Sequence, residues 1–217
     1  MNIKYIIDGH DIKNEFGVKV SASKGITTRP KLKEIKNSNW DNYHGQSPDL
    51  TKKYYDVRVI VLSCFITARS RREFLAKVNH FCDLFCAPGT QRLVIDVGID
   101  MPLIYEVYSQ NAIDISKSWS EANMIGTFDL ELIEPEPIKR ILKHSTETSK
   151  SCSITITSEK MVNIYWGDGS VDYDIYGTDT NITHTYANEG VYYPVITGCI
   201  DEISNFSTNA KIVWNKL

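Results

Sequence analysis

Hydrophobic positions in residues 1–134 recur mostly with period two, the mark of strands whose side chains alternate between a core and a wetter face. Val57, Val59 and Val61 alternate with Asp56, Arg58 and Ile60, after which Leu62, Cys64, Phe65 and Ile66 make both faces apolar. This predicts a strand that begins half-exposed and ends buried on both sides. Leu93, Ile95 and Val97 alternate with Arg92 and Asp96, and Leu103, Tyr105 and Val107 alternate with Ile104 and Glu106. Gly98-Ile99-Asp100 between those runs predicts a hairpin. Phe128, Leu130 and Leu132, alternating with Asp129 and Glu131, predict another strand with one wet face. A single segment breaks the rhythm: Phe74, Val78, Phe81 and Phe85 recur at helical spacing. Ser70-Arg71-Arg72-Glu73 before them fits a capping box, Pro88-Gly89 stops the run, and a helix over 70–86 is predicted.

The strand pattern ends at Glu134-Pro135-Glu136-Pro137, where two prolines restrict the backbone and remove donors. With the polar run from His144 to Ser151, this marks residues 136–150 as a linker between a domain at 1–135 and a second at 151–217. The second part is a row of short period-two runs: Ile154 and Ile156; Val162, Ile164 and Trp166; Val191, Tyr193 and Val195; Ile212 and Trp214. Turn-forming clusters at 167–169, 177–181, 188–190 and 204–209 separate them. The expected architecture is mainly β: an N-terminal β-sandwich with one flanking helix and a hairpin, then a small β-sandwich.

Charge sharpens the division. The chain of 217 residues has net charge −3, but residues 1–144 carry 20 basic against 18 acidic side chains while 145–217 carry 4 against 9. Five cysteines (Cys64, Cys82, Cys86, Cys152, Cys199) include no C-x-x-C pair and are expected as reduced thiols of a protein made in a cytosol. Apolar stretches are far shorter than a membrane helix needs, and Met1 to His10 lacks the pattern of a secretory signal, so neither bilayer insertion nor export is expected.

Catalytic patterns are missing: there is no G-x-S-x-G, H-E-x-x-H, phosphate-cradling G-x-x-x-x-G-K or dinucleotide fingerprint. The histidines His10, His44, His80, His144 and His184 are scattered, and structural roles are expected. Cys82 and Cys86 lie four apart on the helix without a second pair, as core thiols would. Asp168, Asp172, Asp174 and Asp179 suggest a calcium loop at 168–179, but the spacing is not that of an EF-hand, and a solvated strand face is expected. The basic run Lys24, Arg29, Lys31, Lys33 and Lys36 before Trp40 and Tyr43 is too weak for a nucleic-acid face and reads as a solvated arm or subunit contact. The sequons at Asn181 and Asn205 carry little weight without export. Neither an enzyme nor a cofactor is expected; a hydrolase whose paired carboxylates meet only in the fold is the remaining catalytic possibility.

Val162-Asn-Ile-Tyr-Trp-Gly-Asp-Gly-Ser170, with Ile182-Thr-His-Thr-Tyr-Ala187 and Gly190-Val-Tyr-Tyr-Pro-Val195, resembles the PKD-like immunoglobulin-type module. The resemblance implies that Trp166 plugs the sandwich core and that Gly167 and Gly169 form a tight turn whose backbone Asp168 ties. It also implies that Tyr186 anchors the opposite sheet, with His184 and Gly190 completing the motif, and that the module is a spacer or binding domain. The order of elements over roughly 1–140, with Tyr55 to Cys64 and Arg71-Arg-Glu-Phe-Leu75, resembles the distal tail protein family of tailed phages. That resemblance implies a β-sandwich ring domain, assembled as a homo-hexamer between tail tube and tail tip proteins, in a virion tail assembled in the bacterial host cytoplasm. On it, residues 150–217 project outward as a recognition or spacer module. The alternative is a carbohydrate-binding cell-surface adhesion protein, in which aromatics such as Trp166, Tyr173, Tyr176 or Tyr192 stack on a host surface glycan.

Overall fold

The computed structural model describes all residues except 1, 2, 35, 36, 43, 46, 121 and 122, and the chain is mainly β. The first half runs through β1 (Lys4–Ile7), β2 (His10–Asp11), α1 (Ile12–Glu15), β3 (Val18–Lys24), the small paired strands β4 (Asn37–Ser38) and β5 (Ser47–Pro48), and β6 (Arg58–Ala68). It continues with α2 (Arg71–Asp83), β7 (Gln91–Asp96), β8 (Leu103–Val107), β9 (Ser116–Trp119) and β10 (Met124–Glu134). Two four-stranded antiparallel sheets result, ordered β2-β1-β7-β8 and β3-β6-β10-β9. Ile7, Leu93, Ile95 and Tyr105 from one sheet and Ile60, Leu62, Ile66 and Leu130 from the other share one core. That is a sandwich, because each sheet buries one face against the other.

α2 flanks this core through Phe74 and Phe81, both buried, with Val78 and Phe85 packed beside them. Ser70 caps its start by accepting from the Glu73 amide at 3.2 Å. Glu73 reaches back to the Arg69 amide at 3.0 Å, one residue earlier than a capping box requires. After Asp83 the helix tightens to a 3-10 turn over Leu84–Cys86.

Two features of β6 differ from the pattern read from sequence. Ile60, Leu62, Cys64 and Ile66 face the core, whereas Val57 and Val59 are exposed and Val61 and Phe65 are only partly covered. The valine run lies on the outer face because the core takes the alternate set, which begins at the buried Arg58.

The second half comprises β11 (Arg140–Ser145), β12 (Ser151–Tyr165), β13 (Val171–Thr185), β14 (Val191–Tyr192), β15 (Val195–Gly198), β16 (Ile203–Thr208) and β17 (Lys211–Trp214). Ile154, Ile156, Val162, Ile164 and the Trp166 side chain form its core. The two runs expected as separate strands at 154–156 and 162–166 are one long β12, which pairs with β16 in its first part and β15 in its second. Register shifts between Ile156 and Ile164 accommodate the change of neighbour. The turn expected at 177–181 is instead the middle of β13, which absorbs its turn-forming residues by placing Asp174, Gly177 and Asp179 at positive φ.

Residues 136–150 are not a linker. Their centre is β11, which pairs with β14, β15 and β17, and Ile141 and Leu142 are completely buried. The flanking prolines and polar residues hide a strand that needs only Ile138, Ile141 and Leu142 to carry its apolar side. Ile141 joins Ile104 of β8, Tyr165 and Val195 in a cluster that spans both halves. The C-terminal half is therefore seated on the first rather than held away from it.

Candidate functional site

The seam between the halves begins at the turn from β12 to β13. Trp166 donates its backbone N–H from one side of the turn to the Ser170 carbonyl at 3.0 Å, and Gly167 and Gly169 take φ values of 97° and 93° between them. A side chain at Gly167 would be strained by that φ, and its Cβ would lie 2.5 Å from the Arg92 guanidinium, which would have to move. Asp168 accepts from the Ser170 amide at 3.0 Å and bonds His184 Nε2 at 2.7 Å. Burial resists the charge on Asp168, but the bonds from His184 and Ser170 outweigh it and hold the carboxyl below the ordinary aspartate value.

Behind the turn an aromatic stack fills the core. The indole of Trp166 is fully buried, lies parallel to the His184 ring at 4.9 Å, and donates from Nε1 to Asp172 at 2.8 Å. Tyr186 meets His184 edge-on at 4.8 Å, stacks on Tyr192 at 3.9 Å, and donates its hydroxyl to the Trp166 carbonyl at 3.0 Å. His144 lies against the same tyrosine at 5.5 Å and bonds the Ser149 carbonyl. Gly190 is at the far end, where its N–H donates to Thr146 Oγ1 at 2.8 Å. The arrangement fixes the turn and the start of β13 rigidly, since the indole, imidazole and phenol hold one another in place.

Because the Asp168 carboxyl is held below its ordinary value, it stabilises the fold above pH 3.8, the unfolded value, and that contribution disappears as the pH falls through the lower folded value. Asp168→Asn is therefore expected to cost about 1 kcal/mol at neutral pH. In urea melts followed across pH, the gap between wild type and variant should close as the pH drops below 3.8.

The four aspartates read as a possible calcium loop do not converge. Asp168 serves His184, Asp172 serves Trp166, and Asp179 accepts from Thr157 and Asn205. Among the described residues no group of three or more His, Cys, Asp or Glu side chains could hold a metal ion. The aromatics expected on a glycan differ in exposure, and Trp166 is fully buried. Tyr173 and Tyr176 are exposed on β13, whereas Tyr192 is partly buried with one ring face against Tyr186. In the basic arm, Lys31 and Lys33 hydrogen-bond through their backbones to Asp56 and Tyr54, and Trp40 is exposed; Lys36 and Tyr43 lie outside the described residues. His10 bonds Glu15 at 2.7 Å and His80 packs on Phe16, so both have structural partners. All five cysteines are free, and burial raises the Cys64 thiol to about 12.

Sequence reasoning did not find the polar fittings of the seam. Arg92, on β7, donates to Glu106 at 2.6 Å and to the carbonyls of Tyr193 at 2.7 Å and Tyr165 at 3.2 Å, so one guanidinium grips the end of β12 and the link between β14 and β15 in the other half. Nearby, Glu134 is buried between Lys139 and Arg58, accepting from the ammonium and pairing with Arg58 Nε at 3.2 Å. Arg58 also reaches the carbonyls of Ile26 and Pro137, and the Lys139 ammonium sits 3.9 Å from the centre of the buried Tyr105 ring. Burial raises the Glu134 carboxyl above its ordinary value and lowers Lys139 to about 8. Charge alternation around Glu134-Pro-Glu-Pro was the available signal, but it reads equally well as an exposed loop.

No protein-family model matches the sequence, and no curated protein matches it. Among solved structures, the chain resembles the Dit protein (gp 19.1) of phage SPP1, described as a paradigm of the hub adsorption apparatus in phages infecting Gram-positive bacteria. The TM-score is 0.51 at 11% identity, over 100% of this chain and 90% of that one. A chain of the phage p2 baseplate, in its activated conformation with Sr, matches with a TM-score of 0.42 at 8% identity, over 92% of this chain and 99% of that one. The likeness to the SPP1 protein defines the fold as Dit-like. It runs across both halves, including β11 and the strands after it. No helix among the described residues is long and apolar enough to cross a membrane.

Proposed function

We propose that the chain is a structural, non-catalytic component of a phage or prophage tail, a distal tail hub protein of the baseplate. The observation that carries this is the end-to-end likeness to SPP1 Dit, covering all of this chain and 90% of the other. Residues 1–135 supply a homo-oligomeric ring of six copies that meets tail tube and tail tip proteins. The PKD-like unit at 151–217, together with β11, acts as a recognition or spacer module. The protein is placed in the virion tail, assembled in the bacterial host cytoplasm, with neither nucleic acid nor membrane as partner.

Exposed Val57 and Val59, at the start of β6 and just before it, leave apolar side chains available for self-association, since a closed ring needs a surface that buries against a second, different surface of the next copy. Native mass spectrometry and negative-stain images over a range of concentrations test the proposal. Six chain masses and a ring outline are expected; a strict monomer at every concentration, alone and with a tail tube protein, would overturn the ring.

A further inference from the structure

A cleft of about 490 Å³ opens along the seam, beside the Trp166 turn, and none of the exposed valines proposed for self-association lines it. Its volume falls within the range of small-molecule sites, roughly 300–1,000 Å³. We propose that it binds a neutral saccharide, with Tyr173 as the stacking platform. The inference rests on the shape and chemistry of the cleft and not on the ring.

Three glycines, Gly9 from the β1–β2 turn, Gly89 before β7 and Gly169 from the β12–β13 turn, bare their backbone to it, and a Cβ built on any of them would meet nothing within 4 Å. The Gly89 carbonyl already accepts from Gln91 Nε2 at 3.2 Å, but Gly9 on one side of the cleft and Gly169 on the other leave main chain where peptide groups can exchange hydrogen bonds with a polyol directly. Tyr173 is 60% exposed and lines the cleft, with the less exposed Tyr165 edge-on behind it at 6.2 Å. A supported ring with one open face matches the apolar C–H face of a pyranose, while the phenol remains available as a polar handle.

Charge selects among ligands. The cleft-lining side chains include three carboxylates, Asp8, Glu106 and Asp168, and one cation, Arg92. Arg92 is already spent on Glu106 and on the carbonyls of Tyr165 and Tyr193, so nothing there balances a phosphate, sulfate or uronate. The carboxylates are themselves engaged: Asp8 accepts from the Arg92 amide at 2.7 Å, Glu106 from the Arg92 side chain, and Asp168 from His184 and Ser170. What they still offer is directional lone pairs, which suit hydroxyl donors better than a free cation.

Saturation-transfer NMR on the full chain tests this, with a trimer of β-1,4-linked N-acetylglucosamine, maltotriose and lactose as probes. Glycerol phosphate oligomers and spermidine serve as anionic and cationic comparisons, and purified peptidoglycan glycan strands separate a cell-wall source from free sugar. Transfer to at least one neutral probe is expected. Tyr173→Ala should weaken it about fivefold or more, the scale of one lost ring contact, and the exposed Tyr176→Ala should leave it unchanged. Both variants should melt like the wild type, since neither ring is buried. The proposal is overturned if no neutral probe or glycan strand shows transfer, if Tyr173→Ala binds like wild type, or if glycerol phosphate or spermidine competes with the sugar. The native mass is a separate readout, so a failed ring and a failed cleft are told apart.

Discussion

Lys139→Ala should destabilise the protein by about 3–5 kcal/mol, because it leaves the carboxylate of Glu134 buried with only part of its charge compensated. For a chain of this size that is a fall in Tm of roughly 6–20 °C. The magnitude follows from position: Lys139 is 0% exposed and Glu134 1%, so water cannot replace the lost ammonium. Arg58 remains at 3.2 Å from the other carboxylate oxygen, but it is also committed to the carbonyls of Ile26 and Pro137. Removing the whole set is a different experiment. The triple variant Arg58→Met, Glu134→Leu and Lys139→Met should recover most of the loss, since desolvating three charges offsets much of their mutual attraction. Urea denaturation of the wild type, the single variant and the triple variant at pH 7 checks both statements. A loss below about 1 kcal/mol for Lys139→Ala would mean that water reaches Glu134 and that the cluster does not hold the seam.

The same cluster explains how much of this molecule was legible in its sequence. Elements whose partners are close in the chain, or whose two faces differ sharply, were readable. Phe74 and Phe81 set the face of α2, Gly98-Ile99-Asp100 joins β7 to β8, and Phe128, Leu130 and Leu132 set the inner face of β10. Legibility failed where burial is decided by a distant strand. β11 carries only a short apolar pair, Ile141 and Leu142, and becomes a strand because β15 and β17 return to it more than fifty residues later. Arg58 sits at the start of β6 as the kind of side chain that normally marks a wet face, and its burial depends on Glu134 and Pro137. The alternation after it follows suit, outward for Val59 and inward for Ile60. A charge is read as solvated unless its counter-charge is visible, and here the counter-charge lies 76 positions away. At the candidate site, the residues of the W-G-D-G motif were identifiable, but the Arg92 grip on Tyr165 and Tyr193 was not. Nothing local to Arg92 distinguishes it from a surface residue on a hairpin.

Trp166→Ala should cost about 3–5 kcal/mol, the range for truncating a large buried aromatic ring, and its consequences should extend beyond stability. The indole is the inner layer of the stack that positions His184, and through His184 the Asp168 carboxylate of the turn. Losing it leaves a cavity beside Tyr186, whose hydroxyl still has the residue's backbone carbonyl to reach. Trp166→Phe separates the contributions: it keeps most of the apolar filling and removes the Nε1 donor to Asp172, a loss of roughly 1–2 kcal/mol. If the stack sets the geometry of the seam, amide shifts in Trp166→Phe should spread from 166–172 to Arg92 and Tyr193, the two residues joined across it. Denaturation curves and 15N correlation spectra of the two variants supply the comparison. Shifts confined to the turn would mean that Arg92 holds the halves together independently of the aromatic core, and the seam would then be two separate fastenings rather than one.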